Sequence, residues 1–255
     1  MKHSILEVKE VKKQFESILA VDDCSLSVKK QAITGLVGAN GAGKTTLFNL
    51  ITGYYKADSG KILFNDIRID DMPTFKRARI GMVRTFQITK ALSRMTVLDN
   101  MMLGPKGQSG EKIWNIWLKS GKVSKEEDMA KEKALEILDF FDMLHMKDEY
   151  AGALSGGQKK LLEMARSLMI DPIMLLLDEP FAGVNPTLAK KLVIYIKELR
   201  EKGMTFLIIE HDIPLITRVS DTLSFMSQGK IILEGTPEEV KKDPRVRDAY
   251  LGGGD

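Results

Sequence analysis

Hydrophobic and polar residues follow two different periods along the chain, and the period changes from one region to the next. Near the start, apolar residues recur at every second or third position, which is typical of half-buried strands. Two short apolar runs, 173–177 and 205–209, predict strands of a parallel sheet that are buried on both faces. Between 88 and 166 the spacing becomes helical, and one long amphipathic helix places Ala134, Leu138 and Phe141 on a single face. The pattern therefore predicts an α/β protein in which a helical region interrupts a strand-rich one.

Turn residues set the limits of the predicted elements. Gly53 ends the first predicted helix, and Ser124 with Glu127 forms a capping box that predicts the start of another. The predicted strands are 5–11, 24–28, 33–37, 61–64, 66–69, 80–86, 173–177, 205–209, 222–226 and 230–233. The predicted helices are 47–51, a short turn from 72, 97–102, one that follows Ser124, 161–168, 188–199, 237–242 and 246–251.

Composition narrows the class of protein. The chain has 255 residues, of which 44% are hydrophobic and 29% charged, as in ordinary globular proteins. A net charge of +3 gives no reason to expect a nucleic-acid partner. The one cysteine, Cys24, excludes a disulfide framework and is expected in the core. No signal peptide is evident and no apolar run could cross a bilayer, so we expect a protein of the reducing interior that meets membranes from outside the lipid.

A glycine-rich stretch between a predicted strand and a predicted helix gives the first chemical signal. It reads glycine, four residues, then Gly-Lys-Thr, which is the pattern of a phosphate-binding loop. Glycines let the backbone wrap an anion, and the helix N-terminus supplies unpaired N–H groups. Lys44 would reach the β- and γ-phosphates, and the Thr45 hydroxyl would bind Mg²⁺. The predicted nucleotide-binding residues of this loop are Gly38, Ala39, Asn40, Gly41, Ala42, Gly43, Lys44, Thr45 and Thr46.

Polar side chains follow three of the predicted strands. Asp178 would hold the Mg²⁺ that bridges the phosphates. Glu179 points to the other face and would act as general base for the attacking water. His211 and Gln87 also end strands, and the carboxyl ends of parallel strands converge on a ligand, so either could orient water or contact a phosphate. Neither of these two residues decides a function by itself.

The stretch Leu154-Ser155-Gly156-Gly157-Gln158 decides the family. With the phosphate loop, Gln87, Asp178-Glu179 and His211 in the same order, the chain resembles the ATP-binding subunits of ABC transporters over nearly its whole length. The resemblance implies a P-loop NTPase fold with a RecA-like parallel core, an antiparallel β subdomain and an inserted helical subdomain.

The resemblance also implies a division of the single ATP-binding domain, 1–255. The catalytic core with its β subdomain would take 1–87 and 167–255. The helical subdomain would take 88–166. Within it, Trp114 and Trp117 form an apolar cluster that is either an extra packed helix or a partner surface.

The resemblance assigns roles to three residues whose own chemistry does not determine a role. Phe15 by itself could be a surface or core aromatic, and the family pattern makes it the residue that stacks on adenine. Val21 matches the residue that flanks the ribose. Gln87 matches the residue that contacts Mg²⁺ and the lytic water and senses the membrane subunit.

The five-residue stretch that decides the family implies a second copy of the site. Its serine and glycines match groups that contact the γ-phosphate of ATP bound to the opposite subunit, and a helix N-terminus there makes physical sense. The predicted contacts are Ser155, Gly156, Gly157 and Gln158. ATP would join two chains head to tail, as a homodimer or as a heterodimer with a close paralogue.

Dimer closure would drive transmembrane permease subunits, with an extracytoplasmic solute-binding protein acting indirectly. The expected location is the cytoplasmic face of the cell membrane, as a peripheral subunit. Five features are similar to branched-chain amino acid importers: the runs 84–87, 182–186 and 209–212, the long segment 104–128, and the 249–252 end. Asn185 departs from the family, which commonly has aspartate there.

Other systems remain open as alternatives. Lipopolysaccharide-export ATPases share the 178–184 run, and urea and amide importers are similar too. A soluble ABC ATPase of translation or DNA maintenance is an alternative of a different class, although those proteins carry tandem cassettes or a long coiled coil. A third alternative is a nucleotide-binding regulator without turnover, which Glu179 and His211 argue against. The residues in this chain identify no cargo.

Overall fold

The computed structural model describes residues 3–85, 92–104 and 120–251. Gln87, Trp114 and Trp117 lie outside these residues, so the predictions for them stay predictions. The strands are β1 Ser4–Phe15, β2 Ile18–Lys29, β3 Ile33–Val37, β4 Ser59–Phe64, β5 Ile67–Arg68, β6 Met82–Arg84, β7 Met174–Asp178, β8 Thr205–Ile209, β9 Thr222–Ser227 and β10 Lys230–Gly235. The α-helices are α1 Lys44–Thr52, α2 Thr74–Arg79, α3 Val97–Met102, α4 Ser120–Phe140, α5 Gly156–Leu168, α6 Pro186–Glu201, α7 Ile213–Val219, α8 Pro237–Lys242 and α9 Pro244–Leu251.

The chain divides into two compact units. The first consists of residues 1–87, 173–182 and 189–255, and the second of 88–172 and 183–188. The first unit contains two sheets. The larger has the strand order β10-β9-β3-β8-β7-β6, in which only β10 runs antiparallel to its neighbour. The smaller is antiparallel throughout, in the order β2-β1-β4-β5, so the α/β fold with a parallel core and an antiparallel sheet is confirmed.

The central strands of the larger sheet end at one level. Every residue of β3, β7 and β8 is buried, as their apolar runs predict. Leu36 of β3 pairs with Ile209 of β8, and Asp178 of β7 pairs with the same Ile209. The segments that follow these three strands therefore start at the same edge of the sheet.

Helix α1 packs into the core that the two sheets share. Its apolar face, which includes Phe48 and Ile51, belongs to one buried cluster with side chains from both sheets. Gly53 ends the helix in the left-handed conformation, with φ 77°, as predicted. This packing fixes the N-terminal end of α1 against the sheet edge.

Arg77 of α2 binds the C-terminal end of α1. Its side chain is only 2% exposed, and its guanidinium donates to the carbonyls of Leu50 and Ile51 at 2.8 and 2.6 Å. It also donates to the carbonyls of Met72 and Asp70. Burial lowers the pKa of Arg77 to about 10, and the nearby Asp70 and Asp71 carboxylates oppose that shift. Arg77 thus supplies the donors that the last carbonyls of a helix lack.

The second unit is helical in its described part. Helices α3, α4 and α5 pack against one another. Ala134 and Leu138 of α4 are buried, as is Phe141 directly after it, as predicted. The predicted capping box at Ser124 is wrong: α4 runs from Ser120, so Ser124 lies inside the helix. The local pattern at Ser124 resembles a helix start, but the helix continues through it because no residue there breaks the backbone.

In the residues that the structure describes, no helix is at once long and apolar enough to cross a bilayer.

Arg77→Met should lower the free energy of unfolding by about 3 kcal/mol or more, because several buried carbonyls would lose a charged donor. Denaturant unfolding of the nucleotide-free protein measures this. Lys76→Met, an exposed change in the same helix, should have little effect. Equal stability of the two variants would show that Arg77 does not hold the end of α1.

Candidate functional site

An open cavity of about 320 Å³ lies where the loop before α1 meets the edge of the larger sheet. Its volume is in the range of small-molecule sites. Backbone and side chains of the predicted phosphate loop form one wall. The lining residues are Ile18, Leu19, Ala20, Asn40, Gly41, Ala42, Gly43, Lys44, Thr45, Thr46, Glu179, Gln228 and Gly229. Of the predicted loop, Gly38 and Ala39 lie behind the wall rather than in it.

Lys44 lies folded against its own loop. Its Nζ donates to the carbonyls of Gly38 and Ala39, at 2.7 and 2.9 Å. Burial lowers the pKa of Lys44, while the carboxylates of Glu179 and Asp178 oppose that shift. An ammonium group has three donors, so one remains for an anion in the cavity.

The start of α1 is suited to bind an anion. Gly43 caps the helix with φ 101°, its helix has no side-chain cap, and no acidic residue lies in the first turn. A Cβ on Gly43 would lie 2.3 Å from the carbonyl oxygen of Ala20, so only glycine fits between the loop and β2. The free N–H groups of this turn therefore face the cavity without a competing side chain.

The β9–β10 turn fixes the loop from the other side. Gly229 donates its N–H to the Ala42 carbonyl at 2.9 Å and accepts from the Asp22 N–H at 3.0 Å. The turn thereby links the phosphate loop to β2. Gln228 of the same turn lines the cavity, and sequence reasoning assigned it no role.

Asp178 at the end of β7 is paired with Arg84 at the end of β6. The Asp178 side chain is 2% exposed, and Arg84 Nη2 lies 2.7 Å from its Oδ2. Nη1 of Arg84 donates to Asn49 Oδ1 at 2.5 Å, and the guanidinium stacks on the Phe48 ring of α1. Arg84 thus fixes the carboxylate of Asp178 relative to the helix that follows the phosphate loop.

The donor set near the phosphate loop fits Mg²⁺. Among the described residues no group of three or more His, Cys, Asp and Glu side chains could hold a metal. Thr45 lines the cavity, and Asp178 supplies one carboxylate at the end of β7, at the same edge of the sheet. Mg²⁺ suits such a site, because it binds one or two protein oxygens and takes its other ligands from phosphate and water.

Glu179 and His211 come together beside the cavity. His211 Nδ1 lies 3.7 Å from Glu179 Oε1, and Glu179 is the acid that lines the cavity. Glu179 has φ 48°, a left-handed conformation that is uncommon outside glycine, and its N–H donates to the Ile209 carbonyl. The backbone of Glu179 is therefore held by the end of β8, two residues before His211.

Glu210 is a buried acid between these two residues. It is 1% exposed and accepts backbone N–H bonds from Phe181 at 3.0 Å and His211 at 3.2 Å. Burial raises the pKa of Glu210, and the N–H groups of Phe181 and His211 oppose that shift. The sequence offered one signal for it, an acid directly after an apolar strand.

The opposite end of the cavity is apolar and exposed. Ile18 and Leu19 line it and are 68% and 46% exposed. Phe15, predicted to stack on a base, lies just outside the lining with its ring edge to face on Tyr55. Val21 is fully buried in the core, because its pairing with Lys13 across β1 and β2 turns its side chain inward. The placement of Val21 is thus at odds with a ribose contact, and Ile18, Leu19 and Ala20 face the cavity instead.

In the second unit, Ser155 caps α5. Its hydroxyl accepts from the Gln158 N–H at 3.3 Å, and Gln158 Oε1 accepts from the Ser155 N–H at 2.8 Å. Ser155 and Gly156 are exposed. A Cβ on Gly157 would lie 2.3 Å from Leu188 Cδ2, so a larger residue there would displace the end of the Leu188 side chain. Sequence reasoning missed this capping box although the Ser-x-x-Gln pattern was visible.

Asn185 makes the same kind of cap for α6. Its Oδ1 accepts from the Leu188 N–H at 2.9 Å. Aspartate at this position would accept the same bond and add a charge. The substitution of asparagine for the common aspartate therefore preserves the helix start.

Two family profiles match the chain. The one described as "ABC transporter" matches residues 21–182. The one described as "Branched-chain amino acid ATP-binding cassette transporter" matches residues 230–255.

Curated relatives match almost the whole chain. The probable branched-chain amino acid transport ATP-binding protein LivG of Archaeoglobus fulgidus is 41% identical over 98% of this chain and 96% of its own length. The protein of the same name from Methanocaldococcus jannaschii is 42% identical over 97% of each. The high-affinity branched-chain amino acid transport ATP-binding protein LivG of Escherichia coli K12 is 37% identical over 99% of each.

Solved structures with the same fold are similar over equal lengths. The ADP conformation of an ATP-binding cassette of an ABC transporter superposes with a TM-score of 0.86, at 40% identity, over 98% of this chain and 99% of that chain. A nucleotide-free ATP-binding cassette from an ABC transporter has a TM-score of 0.84, at 41% identity, over 97% and 99%.

Arg84→Met should lower the free energy of unfolding of the protein without nucleotide or Mg²⁺ by about 3–5 kcal/mol, because Asp178 would stay buried without its partner. Denaturant unfolding measures this loss. The control is Lys56→Met, which removes an equally short pair with Asp71 whose side chains are 75% and 76% exposed, and which should change stability little. Adding Asp178→Asn to Arg84→Met should restore part of the stability; no recovery would argue against the ion pair as the cause.

Proposed function

The chain belongs to the ABC transporter family as an ATP-binding subunit, and we propose that it hydrolyses Mg-ATP to drive the import of branched-chain amino acids. The observation that carries the hydrolytic part is the cavity at the start of α1, where Lys44 and Glu179 lie together. Support for the cargo comes from the three relatives described above, each of which is named for branched-chain amino acid transport. The match of residues 230–255 to a profile of the same description supports it independently.

In this proposal the phosphates lie on the N-terminal turn of α1. The N–H groups between Gly41 and Thr46 bind the phosphate oxygens, and the third donor of Lys44 reaches the γ-phosphate. Thr45 and Asp178 would hold Mg²⁺, and the ion would supply positive charge next to the phosphates. Arg84 restrains Asp178 so that its carboxylate keeps one orientation.

Glu179 acts as the general base for the attacking water. Its carboxylate lines the cavity on the side of Lys44, so it can accept a proton from a water at the γ-phosphate. His211 lies within 3.7 Å of it and orients the water or the phosphate. We retain Gln87 as a further contact to Mg²⁺ and the water on the basis of the resemblance alone.

The base of the nucleotide lies at the apolar end of the cavity. Ile18 and Leu19 offer exposed apolar surface there, and Phe15 is one short turn away with 36% of its surface exposed. A purine covers such surface and gains from stacking on an aromatic ring. Ala20, rather than Val21, faces the ribose.

Two chains bind two ATP molecules between them. The exposed start of α5 supplies the contact from the partner, through Ser155, Gly156 and Gly157. A hydroxyl has one donor and two acceptor sites, so Ser155 can cap its helix and still donate to a phosphate. Gln158 holds the cap.

The dimer acts on transmembrane permease subunits from the cytoplasmic face of the membrane, and a solute-binding protein outside delivers the cargo. Homodimers and heterodimers with a paralogue both satisfy this scheme. Import of urea or amides and export of lipopolysaccharide are the competing functions, and they differ in the permease rather than in the ATP site.

Glu179→Gln should bind Mg-ATP with nearly unchanged affinity and lose hydrolysis by at least about 100-fold, because glutamine cannot accept the proton. It should also accumulate an ATP-bound dimer. Nucleotide binding, phosphate release and size-exclusion chromatography with Mg-ATP measure the three effects. Glu201→Gln, an exposed change at the end of α6, is the control and should behave like the wild type. Wild-type turnover in Glu179→Gln would exclude Glu179 as the base.

The permease that co-purifies with the chain should stimulate ATP hydrolysis when it is reconstituted in vesicles with its solute-binding protein and leucine, isoleucine or valine. Stimulation by the cargo is expected because hydrolysis and transport share one dimer cycle. Urea is the matched control ligand. Stimulation by urea alone, or co-purification with lipopolysaccharide-export subunits, would contradict the proposed cargo.

A further inference from the structure

Glu210 joins two segments that carry proposed catalytic residues. Its Oε1 accepts from the N–H of Phe181, two residues after Glu179, and its Oε2 accepts from the N–H of His211. The backbone N–H of Glu210 donates to the Leu36 carbonyl at the end of β3. One residue thus contacts the segments that follow β7 and β8, and the strand that leads into the phosphate loop.

The burial of Glu210 needs a reason. Moving a carboxylate from water into a protein core costs free energy. A polar group is nevertheless retained in a core where it makes specific hydrogen bonds. Here each carboxylate oxygen binds an N–H from a different segment. Only a carboxylate of this length offers two acceptors in that arrangement, because the second terminal atom of glutamine is a donor.

The two hydrogen bonds that Glu210 accepts affect the relative position of Glu179 and His211, the proposed catalytic pair. His211 Nδ1 lies 3.7 Å from Glu179 Oε1 and 3.8 Å from Glu210 Oε2. Both catalytic side chains leave turns that lack regular structure, and Glu179 has a left-handed backbone. Turns of this kind need support from outside, because their own backbone leaves N–H groups unpaired.

We propose that Glu210 is a positioning residue of the ATPase site, which holds the segments after β7 and β8 together so that Glu179 and His211 keep their relative placement. The inference rests on the proposed hydrolysis of ATP by this chain. Glu210 contacts no nucleotide in this scheme, since it is buried behind the cavity and is not part of its lining. It acts through the two catalytic residues alone.

The test compares Glu210→Gln with Thr205→Val in the full-length chain. Glu210→Gln keeps the shape of the side chain but places an NH₂ group against one backbone N–H. Thr205→Val, at the first residue of β8, removes the side-chain acceptor of the Gln31 N–H, a part-buried hydrogen bond of 2.9 Å. The two variants therefore each remove a side-chain acceptor of a backbone N–H, one beside the site after the end of β8 and one at the start of β8, away from the site.

For Glu210→Gln we expect kcat for Mg-ATP to fall about 10- to 100-fold, the cost of a small misplacement of catalytic groups. KM and the affinity for Mg-ATP should stay within about twofold, because the phosphate loop is untouched. Thr205→Val should keep kcat within about twofold. A purely structural role would lower the midpoint of thermal unfolding of both variants and leave their kcat values alike.

A second measurement tests the role of Glu210 without ATP hydrolysis. The chain has three histidines, His3, His145 and His211, so its NMR spectra contain few histidine ring signals. The ring signals that are missing in the spectrum of His211→Asn are those of His211. Without nucleotide, Glu210→Gln should displace the ring signals of His211 and leave those of His145 in place. Thr205→Val should displace neither.

The outcomes separate this inference from the proposed function. If the wild type does not hydrolyse ATP in any assembly, the proposed function fails, and the His211 signals alone then decide whether Glu210 places this ring. If the wild type hydrolyses ATP while Glu210→Gln retains kcat and the His211 signals, the inference is overturned. Should Glu210→Gln not fold, Glu210→Asp decides: it keeps the charge but is too short to reach both N–H groups, and the same loss of kcat is expected.

Discussion

The register of three parallel strands is the constraint on which the site depends. Because Leu36 and Asp178 are both level with Ile209, the phosphate loop and two acidic turns begin at one edge of the sheet. A slip of one residue in either pairing would turn every side chain of that strand to the opposite face. The wholly buried interiors of β3, β7 and β8 oppose such a slip, since it would break the packing on both sides of the sheet.

Two buried carboxylates follow from this placement, and the protein stabilises them in different ways. Asp178 is held by a cation, Arg84, which also binds α1 through Asn49. Glu210 is held by backbone N–H groups. The guanidinium of Arg84 balances the buried charge of Asp178 and holds the carboxylate in place. The N–H groups at Glu210 instead link two segments of the chain. The pair at Asp178 therefore compensates a buried charge, whereas the hydrogen bonds at Glu210 fix the positions of two segments.

Sequence patterns predicted the features that depend on neighbouring residues, and they failed where distant ones decide. Strand periods, the phosphate loop and Gly53 as a helix end are local, and the structure has all of them. The pairing of Arg84 with Asp178 spans 94 residues and follows from the contact of β6 with β7, which no local pattern encodes. The burial of Val21 is a second example. An alternating strand shows which residues share a face, but only the packed sheet shows which face is buried. The predicted start at Ser124 failed because a capping pattern favours a helix start but does not fix one, and here the helix begins earlier.

Helix starts in this chain differ in charge in a way that suits their use. Capping boxes close α3, α5 and α8, and the residues that complete them are Asp99, Gln158 and Glu239 respectively. The two acids add a negative charge to the positive end of the helix, which stabilises it but repels an anion. Gln158 makes the same hydrogen bonds without the charge. The start of α1 goes further and has neither a side-chain cap nor an acid. The two helix starts proposed to meet phosphate are therefore kept free of negative charge, and in α5 the stability of the cap is retained because an amide replaces the carboxylate.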